Sequence, residues 1–224
     1  LVLLYIKRRR TCVCIDIRRF SFQKSIIADI FGVGIPASIQ NLLNVTGMTV
    51  FNNFATAYGS EVVAAMGIVQ KIQMVPLQIT LGATQGIMPF VGYNFASGNR
   101  NRMKEAVMYL LKRTILLMLV VAAAGSLASG SLIGLFIKNR AVIDYGSRFL
   151  VGFLLALPFA CLDYTTVGVF QAIGAGKKSL LFAFLRKIVL EIPALVLLNY
   201  WIPLYGMPYA SMCAEMILSL LAAK

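Results

Sequence analysis

Along this chain of 224 residues, apolar runs of span length or nearly so alternate with short gaps that hold most of the lysines and arginines. Hydrocarbon offers backbone N–H and C=O groups no partners, so an apolar run of about 20 residues reads as a helix that satisfies its own backbone across a bilayer. Six such runs fall at about 26–57, 62–91, 106–136, 149–170, 180–198 and 209–224. The first, at 32 residues, exceeds one crossing, so it is expected to tilt or to begin along the interface near Asp29. Composition agrees: 59% of residues are hydrophobic and 13% charged, with mean hydropathy +0.82, against about 25% charged in ordinary soluble domains. The predicted fold is all-α and integral to the membrane, a bundle of six transmembrane helices.

The second run is the least ordinary. Ala64–Gly98 is apolar and long, yet carries Gln70, Lys71, Gln73, Gln78 and Gln85, with Pro76 and Pro89. Unpaired polar groups are costly in lipid. Lys71, Gln78 and Gln85 recur every seven residues and so share one helical face, drifting roughly 20° per heptad. That face is expected to look into the bundle, with its upper part towards a cleft shared with a second lobe.

The net charge of +13, from 21 basic and 8 acidic residues, would suggest nucleic-acid binding in a soluble protein. Here the basic residues sit between apolar runs, where the bias of cationic residues towards the cytosolic side explains them. The segment 7–25 and the gaps after the second and fourth runs hold twelve, against three in the remaining gaps. The first set is therefore expected to be cytosolic. The gap after the third run, with Lys138, Arg140 and Arg148, opposes the trend. Residues 1–6 are expected to be the end of a preceding helix and 7–25 a basic cytosolic linker, making the chain a piece of a longer protein. Of the cysteines, Cys12 and Cys14 lie in that linker and Cys161 and Cys213 in apolar runs. With no histidine in the sequence, neither a zinc site nor a disulfide framework is expected.

Several motifs, in order along nearly the whole chain, resemble one family. Gly32-Val33-Gly34-Ile35-Pro36-Ala37, Met66-Gly67-Ile68-Val69-Gln70-Lys71-Ile72 with Pro76, Gln85 through Phe95, and Phe170 through Lys178 with Arg186 are similar to the second lobe of multidrug and toxic compound extrusion (MATE) transporters. The resemblance implies one lobe, at 26–224, of a twelve-helix protein in a bacterial cell membrane, multi-pass, with linker and ends cytosolic. It also implies export of drugs and other small cationic or amphipathic compounds by alternating access, in exchange for sodium ions or protons. The expected partners are those compounds, the lipid bilayer and an N-terminal lobe of the same protein; no nucleic acid and no cofactor beyond the coupling ion is expected.

Ionisable groups inside spans are expensive and hence functional candidates. Asp163, beside Tyr164, Thr165 and Thr166, suits a proton acceptor or a transient sodium ligand, with no metal site otherwise fixed. Glu191, one turn after Lys187, and Glu215 are further coupling candidates; a Lys187–Glu191 ion pair is the plainer reading of the former. Gln40, Asn44, Gln70, Lys71, Gln78 and Tyr164 are candidates to line the cargo cavity, although Gln40 and Asn44 also suit hydrogen bonds between helices and Lys71 also suits snorkelling to an interface. Some family members carry a carboxylate near the position of Asn44; an amide oxygen coordinates but holds neither charge nor a transferable proton. A flippase for lipid-linked oligosaccharides, of similar helical plan, and an inactive half-transporter are the alternatives. An enzyme is not expected: there is no histidine for an H-E-x-x-H or Ser–His arrangement, and no Walker-type loop.

Overall fold

The computed structural model describes residues 23–222. The expectations for 1–6, for the linker up to residue 22, and for Cys12 and Cys14 lie outside the described residues. The described chain forms α1 (Lys24–Thr56), α2 (Ser60–Ala96), α3 (Arg100–Leu127), α4 (Ser129–Gly134), α5 (Arg140–Ala172), α6 (Gly176–Phe184), a π-helical segment (Leu185–Glu191), α7 (Ile192–Trp201) and α8 (Gly206–Ala222). No strand occurs among the described residues. α1, α2, α3 and α5 are each long and apolar enough to cross a membrane. α6, the π segment and α7 follow without interruption as a fifth rod, and α8 is a shorter apolar sixth. The chain divides into two units, one up to Phe31, which holds the first turns of α1, and one from Gly32 onward.

Helix ends fall where the backbone demands them. α2 continues to Ala96, five residues beyond the expected Val91, and stops because Gly98 takes the left-handed conformation (φ 76°), which glycine adopts without a Cβ penalty. The Asn99 amide then donates to the Asn94 carbonyl at 2.8 Å. α5 ends the same way, with Gly174 at φ 74° and the Ala175 amide donating to the Phe170 carbonyl at 2.8 Å. At its other end α5 starts at Arg140, well before the expected 149, because Asn139 caps it by accepting from the Ala141 amide at 2.9 Å.

α5 is the axis of the unit from Gly32 onward. In its most apolar stretch 61% of residues are buried, against 28% in α2 and 17% in α3. Phe149, Leu150, Phe153, Leu154, Leu157 and Cys161 pack from one broad face of it into the core, and Gly152, Ala156 and Asp163, buried beside them, widen the packed arc beyond a single amphipathic stripe. α2, α3, α4 and α8 all pack on it. Gly152 permits the approach of α8: a Cβ there would lie 2.6 Å from the Pro208 ring. α1 turns Pro36, Gln40, Gly47, Phe51 and Ala55 inward, a three-to-four-residue stripe along one face. The Phe51 ring lies 5.7 Å from that of Phe153. Leucines and valines on the far side of α3, such as Leu116, Leu119 and Val120, stay exposed, as lipid-facing side chains should.

Candidate functional site

The packed side of α5 carries Asp163 into the interior at 0% exposure, together with Arg186 (2%), Glu191 (3%) and Glu215 (6%). The Asp163 carboxyl sits against that of Glu215 from α8, with the Arg186 guanidinium close by. Among the described residues no donor reaches either Asp163 oxygen, nor Oε2 of Glu215. Arg186 Nη1 lies 3.6 Å from Glu215 Oε1, its Nη2 donates to Asn44 Oδ1 at 2.8 Å, and its Cζ stands 4.7 Å from the centre of the Tyr164 ring. One guanidinium thus joins α1, α5, α8 and the π segment.

Lys187 and Glu191 form a second pair on the same segment. Lys187 Nζ donates to Glu191 Oε1 at 2.8 Å and lies 2.6 Å from Oε2. The Lys187 stem rests on Gly47 of α1, where a Cβ would come within 3.3 Å of its Cδ. Three carboxyls and two cationic side chains are therefore gathered in the interior. Burying ions demands near-complete pairing, and this set is one positive charge short of it.

Two cavities flank the cluster. One, of about 210 Å³, is bounded by Asn44, Gln70, Gln78, Tyr164, Lys187, Glu191 and Glu215 together with apolar side chains that include Met48, Phe51 and Phe153. The other, of about 160 Å³, is bounded by Gln40, Asn44, Thr84, Gln85, Tyr164 and Gln171 among others. Of the sequence candidates for a cavity lining, Asn44, Gln70, Gln78 and Tyr164 border the first and Gln40 the second. Gln40 also accepts from Gln171 Nε2 at 3.1 Å, and Gln70 Nε2 donates to Asn52 Oδ1 at 3.4 Å, so both amides tie helices together. Lys71 borders neither cavity; it is exposed on a shallow groove with Met74, Val75, Gln78 and Ile79.

The face of Lys71, Gln78 and Gln85 is divided: Gln78 borders the larger cavity and Gln85 the smaller, while Lys71 borders neither. All three are exposed, because α2 spends Val62, Ala65, Met66, Val69, Pro76, Thr80 and Thr84 on its packed side. Arg186, which stands out in the sequence only within the family motif, is central to the site. Its signal was present: three acids inside apolar runs require basic partners, and Arg186 and Lys187 fall within the fifth run.

An all-α bundle of membrane-length helices that buries a charge cluster between two polar-lined cavities has the architecture of a membrane protein. The chain matches the MatE family model over residues 36–197, and it belongs to that family. Multidrug export protein MepA of Staphylococcus aureus is 27% identical over 221 residues, covering 98% of this chain and 48% of the relative. Its namesake from Staphylococcus saprophyticus is 28% identical with the same coverage. The chain spans about half the length of the curated relatives it matches. A structure of a multidrug resistance MATE family transporter of the MOP superfamily, in an outward-facing conformation, aligns with TM-score 0.90 at 24% identity, over 97% of this chain and 49% of that one. The Vibrio cholerae MATE transporter VcmN in its bent form aligns with TM-score 0.90 at 17% identity, over 100% and 50%. These likenesses establish the fold.

Proposed function

We propose that this chain, from residue 26 onward, is the C-terminal lobe of an ion-coupled exporter of small cationic or amphipathic compounds, and that the Asp163–Glu215 pair is its coupling site. The observation that carries this reading is the missing positive charge. Among the described residues, Asp163, Glu191 and Glu215 face only Arg186 and Lys187 as cations, and both oxygens of Asp163 and Oε2 of Glu215 lack a donor. One exchangeable cation at the acid pair balances the cluster. A proton needs only the two carboxyls. A sodium ion wants several hard oxygens, and the Thr166 hydroxyl, which donates to the Leu162 carbonyl at 2.8 Å, keeps its lone pairs for such an ion.

The relatives named multidrug export protein favour drug-like cargo. The larger cavity suits such a molecule: Met48, Met74, Phe51 and Phe153 offer apolar surface, and glutamines with Glu191 and Glu215 attract a cationic head. In the proposed cycle, taking up the coupling cation neutralises the acid pair, weakens the hold on cationic cargo and favours its release. Alternating exposure of the site to the two sides completes the exchange.

The test uses the full-length protein in vesicles, with efflux of an ethidium-like dye followed under an imposed proton or sodium gradient. Coupled efflux is expected from the wild type and its loss from Asp163→Asn. Unchanged coupling in that variant would remove the assignment of the pair. Translocation of a lipid-linked oligosaccharide without dye efflux would replace the exporter reading by the flippase.

A further inference from the structure

The two cavities meet at one level. Along α1 the walls change over at Asn44, along α2 at Leu81 and along α5 at Tyr164, and these three residues alone border both cavities. On each helix the larger cavity takes the residues on one side of that position and the smaller takes those on the other: Met48 against Gln40, Leu77 against Thr84, Ala160 against Gln171. Asn44, Leu81 and Tyr164 therefore form a septum across the middle of the lobe.

Arg186 holds two of its three members. Its Nη2 donates to Asn44 at 2.8 Å and its guanidinium faces the Tyr164 ring at 4.7 Å, while Nη1 stays 3.6 Å from Glu215. An arginine keeps its proton at any working pH, so the guanidinium stays where carboxylate charge offsets its burial. The ionisable groups around Arg186 and Glu215 are Asp163, Tyr164 and Cys161 from α5, and Lys187 and Glu191 from the π segment. Glu191 is taken by Lys187, which leaves Glu215 and its neighbour Asp163 as the counter-charge.

We infer that Arg186 is a positioning residue that couples the acid pair to the septum: it holds Asn44 and Tyr164 together while Glu215 is charged, and lets them part when Glu215 is neutralised. The inference rests on the proposed exchange of a cation at Asp163 and Glu215. With Glu215 neutral, the guanidinium loses that contact and is drawn to the remaining carboxylate, Asp163, away from Asn44, and the septum opens between the cavities. Its place in the π segment suits such movement, because π-helical turns bond less regularly than α-helical ones and recur at functional positions.

The test is accessibility. Thr84 is buried at the smaller cavity and borders it alone. In the full-length protein, cysteine-free except for Thr84→Cys, a membrane-impermeant methanethiosulfonate reagent is applied to each face in turn, using right-side-out and inside-out vesicles. The septum should make one face label slowly. Asn44→Ala, Glu215→Gln and Arg186→Gln should each speed labelling from that face by about ten- to a hundredfold, the population shift expected for loss of one charge-assisted hydrogen bond. Arg186→Gln strands Glu215, so if it fails to fold, the double variant Arg186→Gln/Glu215→Gln, which removes both charges, takes its place with the same expectation. Asn44→Ala leaves every charge in place. Unchanged slow-face labelling in Asn44→Ala and Glu215→Gln, with wild-type melting temperature, overturns the inference. The readout needs no transport. Opened labelling in these variants with unaltered dye coupling in Asp163→Asn would refute the coupling site alone, and lost coupling with unaltered labelling would refute the latch alone.

Discussion

Lys187 and Glu191 show what a buried charge demands of its neighbours. Lys187 touches both oxygens of Glu191, a carboxylate almost closed off from solvent. Replacing only the lysine leaves an ion in the interior without its partner, at a cost of about 3–5 kcal/mol, whereas replacing both with apolar side chains of similar volume is close to neutral. Lys187→Met is accordingly expected to lower the melting temperature of the purified full-length protein markedly, and Lys187→Met/Glu191→Met to restore most of it. Equal losses in the single and double variants would show that the pair does not act as a unit. Residues of this kind are partly legible in sequence. A lone acid in an apolar run is conspicuous, which is why Asp163, Glu191 and Glu215 stand out. Arg186 is camouflaged by Lys187 beside it, since two adjacent cations near a run's edge look like an interface. Nor does a sequence show that the acceptor for Arg186 is Asn44, 142 positions away.

At the scale of elements, the π segment Leu185–Glu191 explains how Arg186 and Glu191 can both face inward. At an α-helical 100° per residue, positions five apart point about 140° away from each other. An i→i+5 ladder instead places them one turn apart on one face. Periodicity analysis assumes 3.6 residues per turn, so a π segment is invisible to it; the run was legible, its internal geometry was not. The same holds for α5, whose place at the centre follows from the helices packed on it and not from its hydropathy. Removing one residue from the exposed side of the π segment should relax it into continuous α-helix. Val189 is half exposed and suits the purpose. A protein lacking Val189 is expected to reach the membrane and to unfold within a few degrees of wild type, yet to lose coupled dye efflux, because Arg186 and Glu191 no longer share a face. Retained coupling in that variant would mean that the π geometry is incidental.

For the whole molecule, the question is which ends of the helices lie on which side of the membrane. Charge alone leaves one conflict, the gap after the third apolar run with Lys138, Arg140 and Arg148. The structure ties that gap to a particular end of the bundle. Asn139 Nδ2 donates to Glu61 Oε1 at 3.4 Å, and the Tyr58 hydroxyl donates to Asn199 Oδ1 at 2.9 Å. The turn between α1 and α2, the gap between α4 and α5 and the end of α7 therefore lie together, with the glycine-ended turns at Gly98 and Gly174 at the far ends of α2 and α5. Arg148 sits two turns inside α5, exposed but 3.6 Å from Asp144 and 5.1 Å from the Tyr205 ring, so its charge is offset by a neighbouring acid. The remaining excess, Lys138 and Arg140, is outweighed by Arg100, Arg102, Lys104, Lys177 and Lys178 at the other end. Single cysteines in the cysteine-free full-length protein test this arrangement in intact cells. Ser60→Cys, Lys138→Cys and Tyr200→Cys should react with an impermeant maleimide added outside. Ser97→Cys and Lys178→Cys should react only after permeabilisation. Lys138→Cys is the decisive position: protection there together with reaction at Ser60→Cys would break the parity of the bundle, and with it the placing of the Asn99–Lys104 and Gly176–Lys178 clusters on the cytosolic side.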